Sequence, residues 1–560
     1  MTSHNIIQLY ENNFKKCSDE IALTDYFTKK NYSYGEMATE IERLHIFMAD
    51  CGVKKGDKVA LIGKNNAQFV ITYIAVVTYG AVIVPILSDF NPNDAVNIIN
   101  HSDSVLLFAD QKIWESFADA EFEQLQGAIE LDTRVLLKDF TADNKITAAL
   151  EGMDAKFAER HPNGFDSSKI KYADVDMDDV MIISYTSGTT GLSKGVMLTV
   201  GNITGNVQFA LGKKFHVYRS RVLALLPLAH AYGCAFDMLT PLAIGSHITL
   251  LGRTPSPKIL IQAMKEVKPH LICTVPLVME KIVRNQVMPK LQKQPLKTLV
   301  KIPLLNKVIY NKVKKTMVEA FGGCITEVNM GGAALNPDVE KFLLKIKFPA
   351  TVGYGMTECG PLISYERWQR YKPASCGKIL PGMEVKIVPT DGSNGKTGEV
   401  CVRGMNVMKG YYKNPKATEE AIDSEGWLHT GDIGFADPDG TISLRGRCKS
   451  MILSSNGQNI YPEEIEAKLN VLECVLESLV LEDNGRLVAY VVPDYDMAKN
   501  NGWDIDAIKE IMKNNLNILN SLVAPYEQVS DVKICEEEFV KTPKRSIRRY
   551  LYPANAKVIA

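Results

Sequence analysis

The sequence predicts a mixed α/β chain, part α/β and part α+β. A large N-terminal domain has layered, mostly parallel sheets and a small β-rich subdomain, and a smaller C-terminal α+β domain follows. Three observations lead there. Up to about residue 400, short Val/Ile/Leu runs alternate with helical patterns, the order expected of parallel sheets covered by helices. From Gly382 the texture changes to short strands broken by Gly, Pro, Asp and Asn. Beyond about residue 448 a helix, two strands and a second helix come in succession. The chain's 560 residues are also too many for one core, since domains usually run ~100–200 residues. We therefore expect one domain over 1–448, with its β-rich subdomain near 380–446, and another over 449–560.

The elements follow in order. VALIG (59–63), AVIVPI (81–86), SVLLFAD (104–110), VMIISYT (180–186) and LICTVP (271–276) read as buried strands. The uncharged stretch from Phe69 to Leu87 is about as long as a bilayer is thick. Gly80 divides it and Pro85 falls near its end, which favours a buried helix, a glycine stop and a short buried strand over a membrane span. MEVKIV, GEVCVRG and GTISLRG supply the β-rich subdomain. YPEEIEAKLN, VLESLVLE, RLVAYVVP and AIKEIMKNNLNIL supply the last domain. GFDS (164–167) lacks a convincing following helix and reads as a loop.

Composition narrows the class. The chain is 46% hydrophobic and 23% charged, with a formal net charge of -1, so nothing global points to nucleic acid. Eleven dispersed cysteines without a C-x-x-C pair argue against a zinc site or a disulfide framework, and suit a reducing, cytoplasmic setting. The N-terminus has no apolar signal-peptide core.

The strongest chemical signal is Tyr185-Thr-Ser-Gly-Thr-Thr-Gly-Leu-Ser-Lys-Gly195, directly after a buried strand. Its glycines let backbone N–H groups approach phosphate oxygens, its hydroxyls donate further hydrogen bonds, and Lys194 adds positive charge. It is neither a Walker A loop, whose G-x-x-x-x-G-K-[ST] spacing it lacks, nor a G-x-G-x-x-G dinucleotide turn. A polar surface loop would not need this density of phosphate-binding groups.

This stretch strongly resembles the phosphate loop of the adenylate-forming (AMP-binding) superfamily, which includes the acyl-CoA synthetases. Further family motifs follow in the expected order: LPLAHAYG (226–233), GGAAL (331–335), GYGMTECGP (353–361), GWLHTGDIG (426–434), GRCKSMILSSNGQNIYPEEIE (446–466) and KTPKRSIRRYL (541–551). The resemblance runs from about GVKKGDKVALIGKN (52–65) onward.

The resemblance implies ATP, Mg2+ and CoA as cofactors and co-substrates, and a role for each matching position. Thr186, Ser187, Gly188, Thr189, Thr190, Gly191 and Lys194 would hold the ATP phosphates. Thr357 would contact phosphate, and Glu358 would ligate Mg2+, a hard cation suited to carboxylate oxygen. Tyr354 would pack on the adenine, with Gly332 and Ala333 lining its pocket, and Gly355 would also serve the nucleotide. Asp432 would accept from the ribose hydroxyls, Arg447 would add a ribose or phosphate contact, and Lys449 would also serve the nucleotide. His230 would line the acyl–adenylate junction. The implied chemistry is attack of a carboxylate on the α-phosphorus of ATP, then transfer of the acyl group to CoA. Between the two steps the C-terminal domain would rotate near Lys449-Ser450.

Two positions depart from the pattern. The family's adenylation lysine falls at Ser546, in Lys541-Thr-Pro-Lys-Arg-Ser, and Ser450 stands where CoA ligases usually carry Asp. Lys544 is a candidate substitute, since two residues apart on an extended chain lie on one face, ~7 Å apart.

Two features bear on substrate and partners. Around His230 only Asp237 is acidic, so no partner for a substrate ammonium stands out and an apolar fatty acid fits better. Residues 281–318 hold ten Lys/Arg and no Asp/Glu, interleaved with Leu, Ile and Val. The segment resembles basic insertions of long-chain acyl-CoA synthetases. It reads as a peripheral contact for anionic lipid, as a solvated basic helix face, or as an attractor of CoA phosphates. The leading reading is a fatty acid–CoA ligase. Its alternatives are an acyl-AMP ligase that loads a carrier protein and a silenced ATP- or acyl-AMP-binding protein.

Overall fold

A computed structural model describes residues 4–117, 120–186, 193–253, 256–390, 396–453, 459–483, 486–541, 547–552 and 556–559, without the side chains of residues 285 and 453. Contacts divide the chain into two compact units. The first comprises Met1–Gly188, Ser193–Glu384 and Arg403–Ile422; the second includes Val385–Val402 and Asp423–Ala560. The β-rich segments thus group with the C-terminal residues.

The segment from Phe69 to Leu87 shows how local sequence sets an element. Asn66 caps the helix Ala67–Tyr79 by accepting from the Phe69 N–H at 2.9 Å. Gly80 ends it at φ 90°, a left-handed conformation that costs glycine no Cβ clash. The strand Val82–Ile86 follows at once and is wholly buried. Among the described residues no helix is long and apolar enough to cross a membrane.

That strand lies inside an eight-stranded sheet. Its order is Gly410–Tyr411, Lys194–Thr199, Val180–Thr186, Val82–Ile86, Lys58–Ile62, Ser104–Ala109, Gly127–Glu130 and Leu136–Asp139. The inner pairings are parallel and both ends are antiparallel. Every strand read from an apolar run in this region forms. A seven-stranded sheet in the same unit centres on Arg221–Ala224 and Leu271–Thr274 and is parallel except for its edge strand Asn31–Ser33. Ile272, Val328, Met330 and Val352 pack it against Met264, Met317 and Phe342 of its covering helices. Burial of such side chains, ~1.5–3 kcal/mol each, is the main term holding these layers together.

The second unit contains most of a four-stranded sheet in which Gly398–Gly404, Leu428–Ala436 and Ile442–Arg447 pair antiparallel in that order. It also has a three-stranded sheet of Val475–Asp483, Arg486–Pro493 and Asp531–Ile534. The helices Pro462–Leu469 and Ile505–Leu522 cover the latter through Ile465, Leu469, Ile508, Met512 and Leu519. All eleven cysteines are free.

Candidate active site

The phosphate-loop motif begins and ends in one antiparallel pair. Val180–Thr186 and Lys194–Thr199 run side by side with Thr186 opposite Lys194. Ser187, Gly188, Thr189, Thr190 and Gly191 lie outside the described residues. Lys194 is half-buried, and its Nζ sits 4.9 Å from the centroid of the Tyr411 ring. The Tyr411 hydroxyl in turn donates to Oε1 of Glu358 at 3.0 Å. Tyr411 reaches this place because Gly410–Tyr411 pairs with Lys194–Thr199, Tyr411 opposite Val196. Burial and the Glu358 charge push its phenol pKa well up, which keeps it a hydrogen-bond donor.

Glu358 belongs to the single 3₁₀ turn Thr357–Cys359, closed by Gly360 at φ 60°. Buried amides hold that turn. Asn206 donates to the Cys359 carbonyl at 3.1 Å and accepts from the Leu362 N–H at 2.9 Å. Asn406 donates to the Leu362 carbonyl, and the Met408 N–H to the Glu358 carbonyl. The helix carrying Asn206, Val200–Gly212, is itself fixed by a reciprocal cap between Thr199 and Asn202. The half-buried Glu358 carboxylate therefore stands on a fixed backbone. Its oxygens, one of them oriented by Tyr411, are of the hard type that suits Mg2+.

Tyr354 and Gly355 lead into this turn. Tyr354 is buried, and a Cβ on Gly355 would come within 2.3 Å of the Pro361 carbonyl oxygen, so only glycine fits there. Gly332, at φ 84°, has nothing within 4 Å of where a Cβ would stand, and Gly332 and Ala333 are both exposed. An open backbone edge of this kind suits a flat base.

His230 caps the short helix Ala231–Gly233, its Nδ1 accepting from the Tyr232 N–H at 3.2 Å. Tyr232 donates from its hydroxyl to the Asn329 carbonyl at 2.9 Å, which ties this segment to the strand leading into GGAAL. Asn65 holds the preceding turn by donating to the Leu226 carbonyl and accepting from the Leu228 N–H.

Asp237, the one acidic residue near this motif, faces the protein. It is 1% exposed and accepts from the Leu225 and Leu226 N–H groups at 3.3 and 3.4 Å. Burial pushes its carboxyl up to about 7. The folded pKa is raised, so between the ordinary carboxylate pKa and pH 7 the unfolded chain releases a proton that the folded chain keeps. Stability falls as pH rises through that window, by an upper limit on the order of 4 kcal/mol. Asp237→Asn should therefore gain in denaturant midpoint relative to the parent between pH 5 and pH 8. A constant difference across that range would show that Asp237 ionises normally.

In the second unit, Asp432 and Arg447 are cross-strand neighbours joined by an ion pair, Nε to Oδ1, of 2.8 Å. Asp432 is buried, its N–H donates to Thr430 Oγ1, and Arg447 is exposed. Glu399 supports this strand by accepting from the Gly431 N–H at 2.9 Å and pairing with His429 Nδ1 at 2.8 Å. Lys449 is exposed in the turn Cys448–Ser450. Ser546 and Lys544 lie outside the described residues.

The structure thus brings Lys194 and Glu358 together through Tyr411, and it sets Asp432 beside Arg447. Tyr411, Asn206 and Glu399 escaped sequence reasoning. Each acts on a partner thirty or more residues away, which no local pattern records.

The AMP-binding enzyme family matches residues 10–412. The 4-coumarate-CoA ligase 1 of Narcissus pseudonarcissus is 30% identical over 522 residues, covering 89% of this chain and 85% of its own. A probable chloroplastic acyl-activating enzyme 16 of Arabidopsis thaliana is 28% identical over 88% of this chain and 77% of its own. Among solved structures, ATP-bound MatB from Rhodopseudomonas palustris has the same fold, with a TM-score of 0.74 at 22% identity over 98% of both chains. The anthranilate CoA ligase AuaEII with anthranoyl-AMP gives a TM-score of 0.77 at 18% identity over 99% of this chain and 97% of its own. This chain belongs to the AMP-binding enzyme family, whose adenylate-forming acid–CoA ligases it matches over most of its length.

Proposed function

We propose that the chain activates a fatty acid with ATP and passes the acyl group to CoA. The Lys194–Tyr411–Glu358 arrangement is the observation that carries the adenylation half. A carboxylate oxygen attacks the α-phosphorus, the bond to the pyrophosphate oxygen breaks, and acyl-AMP and pyrophosphate result. The CoA sulfur then attacks the acyl carbonyl, loses its proton, and expels AMP. Bound Mg2+ would offset phosphate charge as the two anions meet. Thr186, Lys194 and Thr357 would orient the phosphates, with the residues from Ser187 to Gly191 completing that loop. Gly332, Ala333, Tyr354 and Gly355 would seat the base. Asp432, Arg447 and Lys449 would take the ribose and its phosphate, and His230 would stand at the acyl junction. A C-terminal domain beginning at residue 449 would pivot near Lys449-Ser450 between the steps.

The fatty-acid reading is supported by the mainly apolar surroundings of the His230 segment. Ala229, Ala231 and Cys234 lie with Ile182, Leu198 and Leu239 around a small void of about 10 Å³, room for one water and not for an acyl chain, which Tyr73 and Ser184 also line. Asp237, turned to backbone N–H groups, offers no partner for a substrate ammonium. A second reading, activation of an aryl acid such as a hydroxycinnamate, is favoured by the 4-coumarate-CoA ligase relative. Pyrophosphate release with medium and long fatty acids and with 4-coumarate, each with and without CoA, separates the two. Faster release with fatty acids, with thioester formed only when CoA is present, is the expected result. Preference for 4-coumarate would replace the substrate, release without thioester would point to a carrier-protein acceptor, and no release with any acid would point to a silenced protein.

A further inference from the structure

We infer that residues 301–315 form a docking surface for an anionic phospholipid bilayer. In the first unit the helix Leu305–Ala320 has two unlike faces. Its inner stripe, Tyr310, Val313 and Met317, packs on the core around the seven-stranded sheet. Its outer stripe starts with Leu304 and Val308 and continues, at helical spacing, with Lys312 and Lys315. Leu304 is 74% exposed and Val308 65%, and Ile302 and Leu305 beside them are also exposed. Four apolar side chains standing together in water, at the start of a helix whose opposite face is already packed, mark an interaction site rather than ordinary surface.

The charge around this patch selects its occupant. Lys297, Lys301, Lys307, Lys312 and Lys315 are all exposed near it, and 281–318 contains no acidic residue. The nearest carboxylate in sequence, Glu319, pairs with Lys315 at 4.0 Å, a full turn further along and away from the apolar end. Apolar side chains flanked by lysines match an anionic bilayer, where leucine and valine enter the headgroup–acyl boundary while lysine amines meet phosphate. A free polyphosphate such as CoA would use the lysines but leave Ile302, Leu304, Leu305 and Val308 in water. The inference is independent of which acid the site activates.

The full chain is sedimented with vesicles of phosphatidylcholine alone and with added phosphatidylglycerol, at low and high salt. The expected result is binding to the anionic vesicles only, weakened by salt. The pair Leu304→Ser/Val308→Ser and the pair Lys301→Gln/Lys307→Gln should each weaken binding by roughly tenfold or more. All four positions are exposed, so unchanged melting temperatures verify folding. The lysine pair should also flatten the salt dependence, and the apolar pair should leave it intact. Equal binding to neutral and anionic vesicles, no binding to either, or unchanged binding in both pairs would overturn the assignment.

Discussion

Glu358→Gln is expected to slow acyl-adenylate formation by roughly a hundred-fold or more, with the fold unchanged. The substitution keeps shape and volume, and the glutamine carbonyl can still accept from the Tyr411 hydroxyl that now meets Oε1 at 3.0 Å. The turn itself is held by the Asn206 amide and the Met408 N–H, neither of which touches the side chain. What is lost is one negative charge at the proposed Mg2+ position, in a reaction where a carboxylate and a polyphosphate must approach each other. The defect should therefore appear as a raised Mg2+ requirement as well as a lower limiting rate, read by ATP–pyrophosphate exchange across a Mg2+ series. Tyr411→Phe serves as the internal comparison. It removes an orienting hydrogen bond but no charge, and should cost a smaller factor, about tenfold or less. An unchanged Glu358→Gln rate at limiting Mg2+ would remove this residue from the metal site, and equal defects in the two variants would make orientation rather than charge the cause.

Much of this fold was legible because its cues are local. Asn66 and Gly80 bracket the helix Ala67–Tyr79 from within its own sequence, and each apolar run of the first unit became a strand because it is buried on both faces. The three strands after Gly382 were legible for the same reason, through their turn residues. Their partners were not. Residues 385–402 and 423–447 group with the C-terminal unit through contacts between segments far apart in the chain, which no periodicity records. The site divides in the same way. Glu358 and Lys194 stand in motifs with recognisable composition, whereas Tyr411 acts through pairing with Val196, more than two hundred residues away. Asp237 was visible as the one carboxylate near His230, but the N–H groups it faces, Leu225 and Leu226, come from the chain's return around that turn.

Ser546→Lys is expected to accelerate adenylation by roughly a hundred- to a thousand-fold. The family resemblance of the motif implies a lysine at this position, whose ammonium would offset charge between the carboxylate and the α-phosphate. A serine hydroxyl has neither the charge nor the reach. Restoring one well-placed transition-state contact is worth ~3–4 kcal/mol, which sets the expected factor. The residues on either side of this segment are well anchored. Lys541 pairs with Glu477 at 2.8 Å and Glu538 at 2.7 Å, and its backbone bridges to Ile547. The thioester step should be nearly indifferent to the change, because the proposed domain rotation removes this position from the substrate before CoA attacks. Preformed acyl-AMP and CoA should therefore give similar thioester rates for parent and variant. The competing account, in which Lys544 already supplies the charge, makes the opposite demand. Under it Ser546→Lys gains little and Lys544→Ala abolishes the exchange activity of the parent. ATP–pyrophosphate exchange measured on the parent, Ser546→Lys and Lys544→Ala decides between them, and three equal rates would exclude both, leaving the charge at the α-phosphate to be met from outside this tail.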